Sequence, residues 1–429
     1  DKAEAEVDYD ADLKPEDAEI KFFEKAKKDL FTAKEWEELN KVEGKVDYVD
    51  KALNELKKQL ADNYKSYDYY LNSAYETQLI SKYKRELGKD FNPDDAAIKS
   101  EYDRYVSLNK EKFSIETKAN YKTAISSSLT NTVYHPTSEH GYGYVFNILF
   151  KFSNDQSTEL KNFTAGQPDK TIVEKYRAQL ANKIEVMKSN PDYDPDEVCE
   201  ECEKAQKDNK DPNKYCTKEK CNARPYEVDN EGNIKKYKVM DVINELTAKL
   251  DAATSFEAKR EIAAQYVYMV NDDTGMYNTS SNNAITGNGN GYLISPHEDD
   301  KTYVEEFSKK GRELVNNGLG SYGWCVTDYG IHFMFVSYIP YDTTVSGVAD
   351  DLIPLDYIVY YGREDDENDK NKTLRDVIVQ DLKSKNTEAR YQIAAQNAIA
   401  ANKDNSISRN KKVWEKTVKE LKKSLGVKD

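Results

Sequence analysis

The chain has 429 residues, 33% of them charged, with a formal net charge of -15. That length exceeds what one hydrophobic core serves, so two or three domains are expected. The acidic balance weighs against nucleic acid as a partner, because phosphate binding needs a concentrated basic surface.

A mean hydropathy of -0.88 calls for extensive solvated helix, yet 32 Tyr and 13 Phe supply enough aromatic area for real cores. No run of ~18 apolar residues is present, so no bilayer-spanning helix is expected. The chain opens Asp1-Lys2-Ala3, as expected of a mature or trimmed polypeptide, and residues 1–17 form an acidic lead-in. Helical spacing starts at Ala18 and carries Ile20, Phe23, Ala26 and Leu30. A second helical run, Val46 to Leu87, ends at Gly88. Asn92-Pro93 predicts a helix start with Asn as cap, and Ile98, Tyr102 and Tyr105 follow at helical spacing. Residues 1–128 therefore read as an all-helical region.

Gly141 to Phe152 is dense in aromatic and β-branched residues and predicts a strand. Thr171 to Met187 predicts a helix with Ile172, Tyr176, Leu180, Ile184 and Met187 facing inward. A polar insertion spans about 190–233. Val239 to Leu250 predicts a helix, and Thr254-x-x-Glu257 reads as the capping box of the next. Asn271 to Gly291 is a loop of Gly, Asn and Ser; without Lys-Ser/Thr and a strand-to-helix setting, it is not expected to cradle phosphate. Tyr303 to Val315 predicts a helix, and Gly323 to Ile339 two strands joined at Asp328-Tyr329-Gly330. Residues 130–345 thus make an α+β domain. An acidic linker at Gly362 to Lys372 and helices at Leu374–Ala401 and Lys411–Leu425 complete 346–429. These helices are expected to pack on the N-terminal ones, since neither set has enough apolar surface to stand alone. The interleaved Lys and Glu between Arg409 and Lys423 read as a solvated face. His135, His140 and His297 fall in polar loops and are expected to be solvated.

Four of five cysteines lie in the insertion: Cys199-x-x-Cys202 and Cys216-x4-Cys221, separated by 13 residues. Two close pairs suit a tetrahedral zinc site with four thiolates. They equally suit two nested disulfides, Cys199–Cys221 and Cys202–Cys216. The segment is too polar to fold on a core of its own, so either staple makes sense. Cys325, beside Trp324, reads as a core thiol.

The order of elements carries a resemblance. Phe307 on a helix, then Thr327, Gly330, His332, Phe333 and Met334 in a closing hairpin, resemble the second half of a parvulin-type prolyl isomerase domain. Cys325 stands where the family has Val. Val145 to Phe152 resembles its opening strand, and Ala263-Ala264 followed by Asn271-Asp272-Asp273 and Gly287-x-Gly-x-Gly291 resembles its central segment. Ile98 to Phe113 resembles the lead-in helix of PrsA- and SurA-like extracytoplasmic foldases. The likeness runs over about 45–345.

The resemblance implies a parvulin-like domain carried between N- and C-terminal helical segments that form one chaperone lobe. It implies an exported foldase, a secreted or cell-surface bacterial lipoprotein whose anchor lies outside this chain, with unfolded or proline-containing polypeptides as partners. An oxidising compartment then favours the disulfides, with zinc the alternative and no other cofactor expected. In the family two histidines and an Asp or Cys form the polar cluster. His332 matches one histidine, Asp272 or Asp273 the acidic position, and Asn147 stands where the other histidine belongs. Phe307, Tyr303, Thr327 and Met334 would meet the substrate. Asn147 lacks the proton-sharing of an imidazole, Tyr303 replaces an aliphatic residue or Met and Asn290 a Leu, so weak or absent isomerisation is expected. The alternative is a non-catalytic surface or scaffold protein on a degenerate parvulin fold; a zinc-dependent enzyme ranks below both, because no open His/Glu ligand set is present.

Overall fold

The computed structural model describes residues 67–190, 226–229, 233–276, 289–362 and 370–401, with the backbone alone at 67–76, 79 and 401. The helices expected at 18–39, 46–66 and 411–425, and Cys199, Cys202, Cys216 and Cys221, lie outside the described residues. Of the described residues, 67–98 with 379–401 form one unit and 99–378 another. Residues 99–128 of the predicted N-terminal helical region thus fall in the same unit as the sheet.

Helix α1 (Tyr67–Gly88) stops at its glycine. Helix α2 (Asp95–Phe113) starts two residues beyond the predicted Asn92-Pro93 signal. Asp94 takes the capping role through Ala97 N–H at 2.8 Å, and Asp95 adds a second carboxylate at the positive helix end. Helix α3 (Thr117–Ser127) buries Tyr121, Ala124 and Ile125.

Strand β1 (Gly143–Lys151) runs straight into α4 (Asn154–Gly166), a helix the apolar spacing does not announce. Its start is a reciprocal cap: Ser153 Oγ accepts from Gln156 N–H, and Gln156 Oε1 from Ser153 N–H. Helix α5 (Lys170–Ala181) is shorter than predicted, because the chain turns at Asn182-Lys183 into β2 (Glu185–Val186). Met187, past that turn, and Ile172, in the first turn of α5, both expected inward, are exposed. Strand β3 (Tyr237–Lys238) pairs with β2 and leads into α6 (Val239–Ala252). Helix α7 (Phe256–Val270) is capped by Ser255, one residue after the predicted Thr254.

A short strand β4 (Tyr292–Ile294), helix α8 (Glu305–Asn316) and the hairpin β5 (Tyr322–Thr327) and β6 (Gly330–Tyr338) complete the domain. The four long-range strands form one antiparallel sheet in the order β4-β1-β6-β5. A two-stranded ribbon, β7 (Ile358–Tyr360) with β8 (Lys372–Thr373), precedes α9 (Leu374–Ala401). The architecture is mixed α+β.

Strand period assigns each side chain its face. Phe146, Ile148 and Phe150 of β1, with Ile331, Phe333 and Phe335 of β6, enter the larger core against α4 to α7. Val145, Met334 and Val336 turn the other way, into a smaller core under Phe307, Leu314 and Val315 of α8. Helix α8 sits close to the sheet because a Cβ on Gly311 would collide with Ile294, and one on Gly143 with Val315. Gly330 adopts φ +138 and lies against the Phe150 carbonyl, so the hairpin turn is closed to any side chain there.

In the first unit, the ring of Tyr83 on α1 meets Tyr391 of α9 edge-on at 6.4 Å. Lys84 pairs with Glu388 at 2.6 Å, and Arg390 donates to the Leu87 carbonyl at 2.8 Å. Among the described residues, no helix is long and apolar enough to cross a membrane.

Phe333 packs in the larger core at full burial. Phe333→Ala is expected to lower unfolding free energy by about 3–5 kcal/mol in a urea titration followed by far-UV circular dichroism. A loss under about 1 kcal/mol would show that this face does not hold the domain together.

Candidate functional site

Strand alternation that buries Phe146 and Ile148 on one side puts Asn147 on the α8 side of the sheet, together with His332 and Met334. Asn147 Oδ1 lies 3.1 Å from His332 Nδ1, and Thr327 Oγ1 lies 2.9 Å from His332 Nε2. Asn147 Nδ2 donates to Asp273 Oδ2 at 2.7 Å. The Tyr292 hydroxyl at 3.1 Å and Gly275 N–H at 3.0 Å both donate to Asp273 Oδ1.

These bonds fix every proton. Asp273 accepts only, so the Asn147 amide must present its nitrogen to it and its oxygen to His332. The imidazole therefore carries its proton on Nδ1, and Nε2 receives the Thr327 hydroxyl hydrogen. Thr327 in turn accepts from Tyr329 N–H at 3.1 Å. Both ring nitrogens of His332 are thus committed within the protein. Burial pushes the imidazole down to about 4, against a smaller opposing effect of the Asp273 charge. His332 is neutral at physiological pH.

The two candidate acids part company. Asp273 joins the histidine network through Asn147. Asp272 points elsewhere: its carboxylate accepts Lys151 N–H at 3.0 Å and lines a separate cleft of about 450 Å3 with Lys151, Lys183 and Lys236. Adjacent residues in an extended segment face opposite ways, which separates them.

The residues expected to receive a proline ring are packed against one another. Met334 is 0% exposed and Phe307 4% exposed, while His332 is 7% exposed. The Phe307 ring stands edge-on to His332 at 5.1 Å, and Tyr303 lies 5.2 Å from Phe307. Tyr292 closes the group at 5.5 Å from Tyr303 and 6.3 Å from Phe307. Burial raises the Tyr303 hydroxyl to about 12. Met334 and Thr327, expected at the substrate surface, are a core side chain and a buried hydrogen-bond donor instead. Asn290 is buried too, its carbonyl accepting from Ser337 Oγ.

Tyr292 escaped the sequence reading. It is one of 32 tyrosines, and its only local signal is its position directly after the glycine loop. The loop histidines also differ from expectation. His135 is fully buried, its Nδ1 accepting from the Tyr121 hydroxyl at 2.7 Å and its Nε2 donating to the Thr132 carbonyl at 3.1 Å. Burial lowers it to about 3. His140 stacks on Tyr341 with centroids 4.1 Å apart, and His297 meets the buried Glu139 at 2.8 Å. Aromatic neighbours, remote in sequence, draw these polar loops inward. Cys325 is half-buried in β5 and packs against the smaller core, its thiol raised to about 12 by burial and by Glu306. Among the described residues, no group of three or more His, Cys, Asp or Glu side chains is arranged to hold a metal.

No family model, curated protein or solved structure matches this chain.

His332 and His135 both titrate lower in the folded state than the ordinary 6.5, so the unfolded chain binds more protons between pH 6.5 and about 3. Stability is then highest above pH 6.5 and falls as pH drops through that window. The expected loss is on the order of 3 kcal/mol from His332 alone, read from urea midpoints at stepped pH, and a flat profile would contradict the burial. In N147D one oxygen of the new carboxyl would face the Nδ1–H of His332 and the other Asp273 Oδ2. Two carboxyls in contact cannot both ionise at neutral pH, so one of the pair should titrate at least about one unit above the usual carboxylate range by NMR, and two ordinary carboxylate titrations there would contradict the contact.

Proposed function

We propose that this chain is a polypeptide-binding foldase of the parvulin kind, exported and acting mainly as a chaperone, with weak prolyl isomerisation. The reading rests on the sequence resemblance and gains support from the order of elements around the sheet: an opening strand, helices, the Asn271–Asp273 segment, a helix bearing Phe307, and a closing hairpin bearing His332. Extracytoplasmic placement and a lipid anchor follow from the resemblance alone.

One observation carries the weak-catalysis half. Isomerising a prolyl bond means crossing a barrier of ~18–20 kcal/mol set by amide resonance. A site lowers it only by binding the twisted amide better than the planar one. His332 has both nitrogens engaged, by Thr327 and by Asn147. It can reach a substrate only by giving up one of these bonds, a cost of ~1 kcal/mol or more. Tyr292, Tyr303 and Phe307 occupy one another's faces where a proline ring would insert.

The same packing favours a second reading, in which the domain is a non-catalytic binding scaffold. A protease-coupled assay on a proline-containing peptide separates them: slight acceleration supports the foldase, none the scaffold. In either case the protein should suppress aggregation of a refolding protein at near-stoichiometric ratio, and His332→Ala should leave that suppression within about twofold. Robust isomerisation lost together with chaperoning in His332→Ala would overturn the assignment.

A further inference from the structure

The two flanks of the sheet are finished differently. On the outer side of β1, four backbone groups that do not pair with β6 find partners in the Asn271–Met276 segment. Leu149 N–H donates to Asn271 Oδ1, Leu149 O accepts from Asp272 N–H, Lys151 N–H donates to Asp272 Oδ2, and Asn147 N–H meets Met276 Sδ. Strand β4 completes that side.

At the opposite flank β5 is the edge strand. Val336 N–H bonds to Ser321 O, which makes Ser321, Gly323, Cys325 and Thr327 the residues whose backbone groups face β6. Tyr322, Trp324 and Val326 alternate with them, so their N–H and C=O groups face away from the sheet. No described residue hydrogen-bonds the backbone of Trp324. Edge strands are commonly protected by proline, a bulge, or an inward charge; β5 has none of these at Trp324. The indole is 41% exposed, and Tyr329 at the hairpin tip is 57% exposed. One end of the edge is occupied. Arg177 comes from α5 on one face and pairs with Glu306 of α8 on the other at 2.6 Å, and with Asp328 at 2.7 Å, wrapping the hairpin end. The open stretch is Tyr322 to Cys325.

We propose that this open edge of β5 receives an extended segment of unfolded polypeptide as an added antiparallel or parallel strand, with Trp324 against one of its apolar side chains. The inference rests on the foldase reading and gives it a client site away from His332. Backbone hydrogen bonds supply sequence-tolerant affinity, and the indole supplies a preference for apolar residues. A second copy of this chain fits less well. Two short edges would bury far less than the ~1,200 Å2 of a stable interface, and each copy carries a net charge of -15.

The test is amide hydrogen exchange on the unmodified protein, with and without reduced, alkylated α-lactalbumin as a permanently unfolded probe. Exchange at Trp324 should slow roughly tenfold on binding, while Cys325, already paired with His332, should change little. Trp324→Pro removes the outward N–H at a position where an edge strand tolerates proline, and should weaken probe binding about tenfold without moving the unfolding midpoint. Trp324→Lys, which keeps the N–H, should weaken it less, and serves if the proline variant folds poorly. Probe binding with unchanged exchange at Trp324 would sink the edge site and leave the foldase reading standing. No probe binding at all would remove both. Concentration-dependent protection of Trp324 without probe, with a dimer that Trp324→Lys dissociates, would assign the edge to a second copy and overturn the proposal.

Discussion

The sheet domain depends on one carboxylate. Asp273 accepts from Asn147 of β1, Tyr292 of β4 and the Gly275 backbone, tying two strands and the Asn271–Met276 segment at a single point. A half-buried carboxylate is tolerated only when its lone pairs are filled, and each filled bond to a charge is worth roughly 1.5–3 kcal/mol. Removing any donor would leave the remaining charge under-satisfied beside the core of α8. The arrangement is therefore cooperative.

That tie sets what His332 can do. Because Asp273 claims the Asn147 nitrogen, Asn147 has only its oxygen to offer, and the histidine is held as the Nδ1–H tautomer. A histidine at position 147 would behave otherwise, since an imidazole can present a donor or an acceptor at either side. The amide instead makes a one-way chain of donors from Tyr329 N–H through Thr327 to His332, and from His332 through Asn147 to Asp273. Such a chain holds geometry firmly and leaves no vacant hydrogen-bonding position on the ring. The aromatic group above it works in the same direction. Tyr303 and Tyr292 fill volume around Phe307 that smaller side chains would leave open.

Much of this was legible in the sequence, and the failures have physical reasons. Strands β1, β5 and β6 announced themselves through aromatic and β-branched density, and α9 through its spacing. Helix α4 did not, because its inward face is thin, with Leu160 its one buried residue; the Ser153-x-x-Gln156 cap was the available signal. Helix α5 was read too long because Ile184 continues the helical period although it lies past the turn at Asn182-Lys183. The position of His332 and Asn147 was legible, but the division of labour between Asp272 and Asp273 was not. Spacing alone cannot say which of two neighbours faces inward. Tyr292 pairs with Val145, His140 stacks on Tyr341 and His297 meets Glu139, each across more than 100 residues, so no local pattern encodes them; His135 is held from nearer by, through Tyr121 and Thr132.

The contrast between the sheet's two flanks gives the network a wider role. The Asn271–Met276 segment that delivers Asp273 to Asn147 also supplies the groups that close the outer side of β1. Polar satisfaction at the histidine cluster and closure of that flank are thus one construction. The N–H groups of Asn147, Leu149 and Lys151 and the Leu149 carbonyl are spent on the domain itself, and a chain approaching there would have to displace the segment that carries Asp273. Among the described residues, strand β5 has no such segment bonded to the Trp324 backbone, and the Arg177 pair holds its hairpin end. A closed histidine cluster and an outward-facing edge are then compatible in one domain, because the first depends on the α8 face at β1 and β6, and the second on backbone groups pointing away from it.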